Sequence, residues 1–134
     1  IFGLTRDTGK AHLVRATLES LAYQTKDILT AMEKDAGIPI QSLKVDGGAS
    51  LNNYLLQFQA DILGCPVERP VNVESTATGA AMLAGIQTGF WSIGQVRSNR
   101  RLDRQFTPAI DESKRSRLYG KWLKAVERCK GWVD

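Results

Sequence analysis

The amino-acid sequence predicts an α/β domain in which parallel strands are joined by crossover helices. Three observations carry that expectation. Segments of helical and strand-like pattern alternate in the order α, β, α, β, α with short connections. Two glycines, Gly47 and Gly48, stand where a short apolar run (Leu43, Val45) hands over to a helical pattern. Gly37, Gly64, Pro66 and Pro70 then punctuate the ends of the remaining segments.

Taken in order, residues 1–4 (Ile-Phe-Gly-Leu) read as the tail of a strand already under way, and with no methionine at the start they suggest a piece of a longer polypeptide. From Lys10 to Ala36 the positions Val14, Leu18, Leu21, Thr25, Ile28, Leu29 and Met32 recur at helical spacing, with Arg15, Glu19, Lys26, Glu33 and Lys34 on other faces. Gly37 is the expected stop, and such a helix is about 40 Å long. After the strand at Leu43 and Val45, Ser50 is the expected N-cap of a second helix marked by Leu51, Tyr54, Leu55, Phe58 and Ile62 and ended by Gly64. Residues 65–70, alternating and bracketed by prolines, suit an edge strand, because proline cannot donate to a central ladder. The helix expected over residues 75–88 is short of side-chain bulk at Ala77, Gly79, Ala80, Ala81, Ala84 and Gly85. Glycine inside a helix costs about 1 kcal/mol relative to alanine, so something presses on that face: a sheet, another helix or a bound nucleotide. An arginine-rich stretch (Arg97, Arg100, Arg101, Arg104) reads as a solvated loop, residues 105–108 as extended, and Asp111 as the cap of a last helix. Its expected buried stripe is Leu118, Trp122, Ala125, Val126 and Cys129, extended by Trp132.

The chain's 134 residues fit one domain, and its formal charge of +4 is modest and largely local. The arginine cluster lacks interleaved aromatic rings, which argues against nucleic acid as a partner. No apolar run approaches a membrane span and no leader pattern is present, so a cytoplasmic protein without membrane contact is expected. Cys65 and Cys129, far apart in sequence, are read as reduced thiols.

Chemistry-bearing patterns are sparse. There is no Gly-x-Ser-x-Gly elbow, no His and Cys ligand cluster and no Gly-Lys-Ser or Gly-Lys-Thr phosphate loop, and His12 has no obvious partner. No catalytic or metal-binding residue is therefore assigned. Asp46-Gly47-Gly48-Ala49 is the exception. A strand, a glycine turn and a helix present backbone N–H groups and the positive end of a helix dipole to an anion, although the same glycines also serve an ordinary tight turn. Asp46 either fixes that turn or orders phosphate, metal or water.

Several separated runs resemble the FGGY carbohydrate kinases. Phe2-Gly3-Leu4-Thr5, followed by His12-Leu13 and residues 16–24, looks like that family's second signature entered partway through. Residues 45–52, 57–63, 67–70, 76–81 and 89–91 follow in the family's order, the resemblance being weakest over 92–104. Gln57-Phe58-Gln59-Ala60-Asp61 is similar to the run in members that phosphorylate glycerol. The resemblance implies a partial ribonuclease-H-like (actin-like ATPase) domain lacking the first strands of its parent sheet, with residues 1–134 the C-terminal part of the second, nucleotide-binding domain and 105–134 a C-terminal helical extension. It implies a parent that transfers the γ-phosphoryl of ATP, with Mg²⁺, to glycerol, or alternatively to another polyol or sugar. Gly48 matches a glycine whose backbone lies against the nucleotide and Asn52 an asparagine that reaches the adenosine moiety, with Gly47 and Ala49 as neighbours. The family's catalytic aspartate, glycerol-binding residues and first phosphate loop match nothing after Ile1, so the chain alone is expected to be inactive. Its uncovered strand edges and apolar surface are expected to drive homo-oligomerisation. In some bacterial members a phosphocarrier of sugar transport binds near the segment matching residues 108–119. The form here departs from the one that makes that contact, and a capped helix accounts for it; a regulatory interaction segment is the alternative from a different functional class.

Overall fold

The computed structural model describes residues 1–98 and 101–131. Helix α1 occupies Lys10–Ala36, as its period and stop signal predict. Its first turn is closed without a capping hydroxyl, because His12 Nδ1 accepts the Gly9 N–H at 3.2 Å. At the other end Gly37 takes the left-handed conformation (φ 67°) that only glycine adopts without strain, and the Glu33 carboxylate accepts the Ile40 N–H at 2.8 Å to turn the chain back. The apolar positions divide between two faces. Leu18, Thr25 and Leu29 lie half-buried beside the buried Ala22 and Tyr23, whereas Leu21, Val14, Met32 and Ile28 are 43%, 51%, 56% and 62% exposed. The predicted single stripe is thus a buried face and an uncovered one.

Strand β1 is Leu43–Lys44, β2 is Val67–Pro70 and β3 is Leu102–Phe106. They form one sheet in the order β1-β2-β3, with β1 and β2 parallel as expected and β3 antiparallel to β2. The edge position expected for β2 is incorrect: it is the central strand. The prolines are tolerated at its ends: Pro66 precedes the strand and offers its carbonyl to Leu43 N–H at 2.8 Å, while Pro70 is its last residue, paired with Leu102 beside a bulge after Arg69. The arginine-rich stretch is likewise no loop. Residues 93–98 form helix α4 (Ile93–Ser98) and Arg104 lies in β3, a strand with one buried residue, Phe106, which leaves no apolar alternation to read in the sequence. Arg100 lies outside the described residues. Residues 1–9 form a turn in which Thr8 N–H donates to Thr5 C=O at 3.1 Å, not a strand; no described strand lies alongside to pair with.

Between β1 and β2 the chain makes a short 3₁₀ turn, Gly48–Leu51, and helix α2, Asn53–Leu63. Helix α2 crosses the sheet, and Leu56, Ala60 and Leu63 join Val67 and Phe106 in the core, with Leu29, Leu43, Val45 and Cys65 packed around them. Each such fully buried large aliphatic or aromatic side chain contributes about 1.5–3 kcal/mol. The Gln57 to Asp61 run is structural. Gln57 Nε2 donates to Asp61 Oδ1 and to the Thr107 carbonyl, Gln59 Nε2 donates to Thr25 Oγ1, and Asp61 Oδ1 accepts the Ala109 N–H at 2.7 Å. Phe58 meets Tyr23 edge-on and stacks on Tyr54.

Helix α3, Ser75–Gln87, has no buried residue. What presses on its small-residue face is Trp91: a Cβ on Gly85 would lie 2.4 Å from its ring, and the Phe90 and Trp91 N–H groups both donate to the Gly85 carbonyl. Gly79 faces open space. The last helix, α5, is Glu112–Glu127, with Asp111 accepting the Lys114 N–H at 2.7 Å as the expected cap. It is fastened to α1 through Asp27, whose carboxylate accepts Tyr119 OH at 2.5 Å and Trp122 Nε1–H at 2.8 Å, while Trp122 stacks on Tyr23 at 5.3 Å. Arg115 donates to the Asp61 carbonyl at 2.7 Å. Cys129 is exposed and off the stripe, and Trp132 lies outside the described residues. Among the described residues no helix is long and apolar enough to cross a membrane.

Candidate functional site

Strand β1 ends where Val45 N–H donates to the Glu68 carbonyl at 3.0 Å, and the chain then reverses through Asp46 and Gly47. Gly47 holds φ 76° and ψ 171°, a combination essentially confined to glycine. Its N–H donates to the Val73 carbonyl at 2.7 Å, and its carbonyl accepts both the Ser50 N–H and the Ser50 hydroxyl, the latter at 2.6 Å. Gly47 is thereby required by the turn itself. Gly48 is different: a Cβ there would meet nothing within 4 Å, so no neighbouring atom demands a glycine and the backbone stands open to approach. The N–H groups of Gly48 and Ala49 open the 3₁₀ turn, where no intrahelical acceptor exists, and both residues are exposed.

Asn52, not Ser50, caps α2. Its Oδ1 accepts the Leu55 N–H at 3.1 Å, whereas Ser50 is buried and spends its hydroxyl within the turn. The 3₁₀ turn inserted between glycines and helix moves the cap two residues on. With its oxygen engaged, the exposed Asn52 keeps, among the described residues, its Nδ2 donors free for a ligand, at the junction between the 3₁₀ turn and α2.

Sequence reasoning missed the side chain that holds this turn. Arg69, 9% exposed, donates from Nη1 to the Ser50 carbonyl and to Asn53 Oδ1, each at 2.9 Å, and from Nε to Asp103 Oδ2 at 2.7 Å. Its guanidinium lies 5.6 Å from the centre of the Phe106 ring. Period two along β2 was the available signal, since it places Arg69 on the same face as the buried Val67.

A groove of about 720 Å³ adjoins the end of β1, lined among others by Lys44, Asp46, Asn72, Thr78, Gly79, Arg97 and Arg101. Among the described residues Asp46 is the single carboxylate in its wall, and Gly47, Gly48, Ala49 and Asn52 lie outside it. Among the described residues no three His, Cys, Asp or Glu side chains come together. Mg²⁺ in phosphoryl-transfer sites is held by one or two carboxylates together with phosphate oxygens, and Asp46 is the carboxylate that these described residues bring to the groove. Burial pushes the half-buried Cys65 thiol above its usual pKa, away from nucleophilic use.

Residues 1–88 match the family model of the C-terminal domain of the FGGY family of carbohydrate kinases. The chain belongs to the FGGY family. It is 61% identical over 134 residues to a glycerol kinase of Symbiobacterium thermophilum and 58% identical over 135 to one of Caldanaerobacter subterraneus, covering 99% and 100% of this chain. It spans 27% of the length of each of these FGGY relatives. Among solved structures, Plasmodium falciparum glycerol kinase with ADP matches with a TM-score of 0.85 at 38% identity, over 95% of this chain and 26% of that one. Xylulose kinase from Rhodospirillum rubrum matches with a TM-score of 0.75 at 27% identity, over 97% of this chain and 27% of that one. The fold is accordingly the actin-like ATPase fold of FGGY kinases.

Proposed function

We propose that this chain is the C-terminal part of a glycerol kinase and forms one wall of its ATP site. The observation that carries this is the 61% identity, spread over almost the whole chain, to the Symbiobacterium thermophilum glycerol kinase. Another FGGY polyol or sugar kinase is the second reading; the higher TM-score and identity of the glycerol kinase structure, 0.85 and 38% against 0.75 and 27% for the xylulose kinase, favour glycerol.

In this reading the N–H groups of Gly48 and Ala49 face the nucleotide, Asn52 Nδ2 donates to the adenosine moiety, and Gly47 shapes the turn. Open space over Gly48 and the engaged Asn52 oxygen support these roles. The activity is transfer of the γ-phosphoryl of ATP to a terminal hydroxyl of glycerol, giving glycerol 3-phosphate. Phosphoryl transfer depends on positioning and electrostatic stabilisation, and this chain contributes positioning. Mg²⁺, held mainly by ligands elsewhere in the protein, would neutralise phosphate charge, and the base that takes the hydroxyl proton would likewise come from outside this chain. The chain is the last part of the second domain, with residues 105–134 as its extension, and the parent is cytoplasmic. Coupled-assay turnover by the full-length protein against a polyol panel tests the proposal: glycerol is the preferred acceptor and the isolated 134-residue chain is inactive. Preference for another polyol, or robust turnover by the chain alone, overturns it.

Two partner readings accompany this. The uncovered face of α1 (Val14, Leu21, Ile28, Met32) supports homo-oligomerisation. A phosphocarrier contact over residues 108–119 is the weaker one, because Asp111, Arg115 and Tyr119 are all engaged within the chain; a pull-down decides it.

A further inference from the structure

We propose that Arg69 is a positioning residue for the nucleotide, acting through the Ser50 carbonyl and the Asn53 side chain; this rests on the reading that the glycine turn contacts ATP. Arg69 grips the turn at two points, Ser50 and Asn53, which bracket Asn52. The three 3₁₀ residues before Leu51 are Gly48, Ala49 and Ser50, so the first grip falls one residue past the open amides. Ser50 is 2% exposed, and a buried carbonyl there needs a donor that the short turn does not continue far enough to give. Arg69 supplies it from the central strand, the most firmly held of the three.

The guanidinium is itself fixed on its other side. Asp103 on β3 holds Nε at 2.7 Å, and the face of Phe106 lies beneath at 5.6 Å. A planar group with donors on separate nitrogens ties two elements to a third at fixed angles, which a flexible ammonium does not. An apolar side chain would fill the same space yet leave the Ser50 carbonyl and Asp103 without this partner. The position of the open amides relative to the sheet is therefore set by one side chain that touches no substrate. Displacing binding groups by about 1 Å costs up to roughly a hundredfold in rate, so loss of the grip acts on ATP and spares glycerol.

The test uses the full-length kinase carrying this chain, with Gly48→Val as the control on the site. Arg69→Met is expected to raise KM for ATP about tenfold or more with KM for glycerol unchanged, and Arg69→Lys to lie between. Gly48→Val also raises KM for ATP, through steric block of the open approach. A folded Arg69→Met protein with wild-type KM for ATP, alongside a Gly48→Val protein with raised KM, overturns the positioning role alone. Unchanged KM in both overturns the reading of the turn, and the proposal with it. If Arg69→Met does not fold, Asp103→Asn is decisive: its carboxylate is partly exposed, it leaves the arginine in place and it loosens one anchor. A rise of about two- to fivefold in KM for ATP alone supports the proposal; no rise, or equal rises for ATP and glycerol, refutes it.

Discussion

Asp27 is the most informative single residue to remove, because from α1 it accepts two side-chain donors of α5. Tyr119 OH and Trp122 Nε1 reach its two oxygens at 2.5 and 2.8 Å. Hydrogen bonds to a charged group contribute about 1.5–3 kcal/mol each. All three residues are half-buried, so water recovers part of that when the carboxylate is lost. Asp27→Ala is therefore expected to cost about 2–3 kcal/mol, and Asp27→Asn about 1 kcal/mol because the carboxamide oxygen keeps one acceptor. For a chain of this size that corresponds to a fall in Tm of roughly 8–12 °C for alanine. A urea melt followed by tryptophan fluorescence and by far-ultraviolet circular dichroism gives the free energy. Alkaline titration gives an independent reading: burial and then the Asp27 bond and charge push Tyr119 up to about 12, and Asp27→Asn brings it down. Loss below about 0.5 kcal/mol in Asp27→Ala, with Tyr119 unmoved, refutes the account of how α5 is held.

Three further outcomes follow from the same structure. Gly64→Ala is expected to cost about 1–2 kcal/mol by urea melt, since φ is 77° and the new Cβ would lie 2.9 Å from the Arg115 guanidinium that holds Asp61; a neutral or stabilising result refutes it. Tyr23, Tyr54 and Tyr119 are each pushed up to about 12, burial being the first cause in every case, so the stability they contribute is complete below pH 10 and is lost as pH rises towards 12. Glu19→Gln lowers Tyr54, whose hydroxyl donates to Glu19 at 2.6 Å, and a native-state tyrosine titrating near its ordinary value counts against this. Light scattering of the isolated chain is expected to show dimers or larger species, and a monodisperse monomer removes the role given to the open face of α1.

Much of the fold was legible where local chemistry and tertiary packing agree. Helix α1 was readable to both ends because period, Gly37 and the chain reversal coincide, and the bounds of α3 and the Asp111 cap follow from the same kind of signal. β3 was obscured because one side chain of its five is buried, and β2 because its prolines sit at the two ends of what is a central strand. At the candidate site the open glycine was visible and the cap was not, since nothing local distinguishes Ser50 from Asn52 before the 3₁₀ turn is known. Arg69 and Asp27 were hidden for a different reason. Each acts across a large sequence separation, Arg69 on residues 50, 53 and 103 and Asp27 on 119 and 122; period two marks Arg69 as facing inward, but pattern along the chain does not name the partners of either residue.

The bond from Gly47 N–H to the Val73 carbonyl gives the turn a built-in internal standard for hydrogen–deuterium exchange. Gly47 is already protected by the joint between β1 and the segment entering α3, whereas the neighbouring amides of Gly48 and Ala49 have no acceptor of their own. Occupancy by an anion slows the latter pair and leaves Gly47 where it was. Opening of the joint speeds Gly47 and leaves the pair unprotected, so three consecutive amides separate a filled turn from a loosened one in a single measurement.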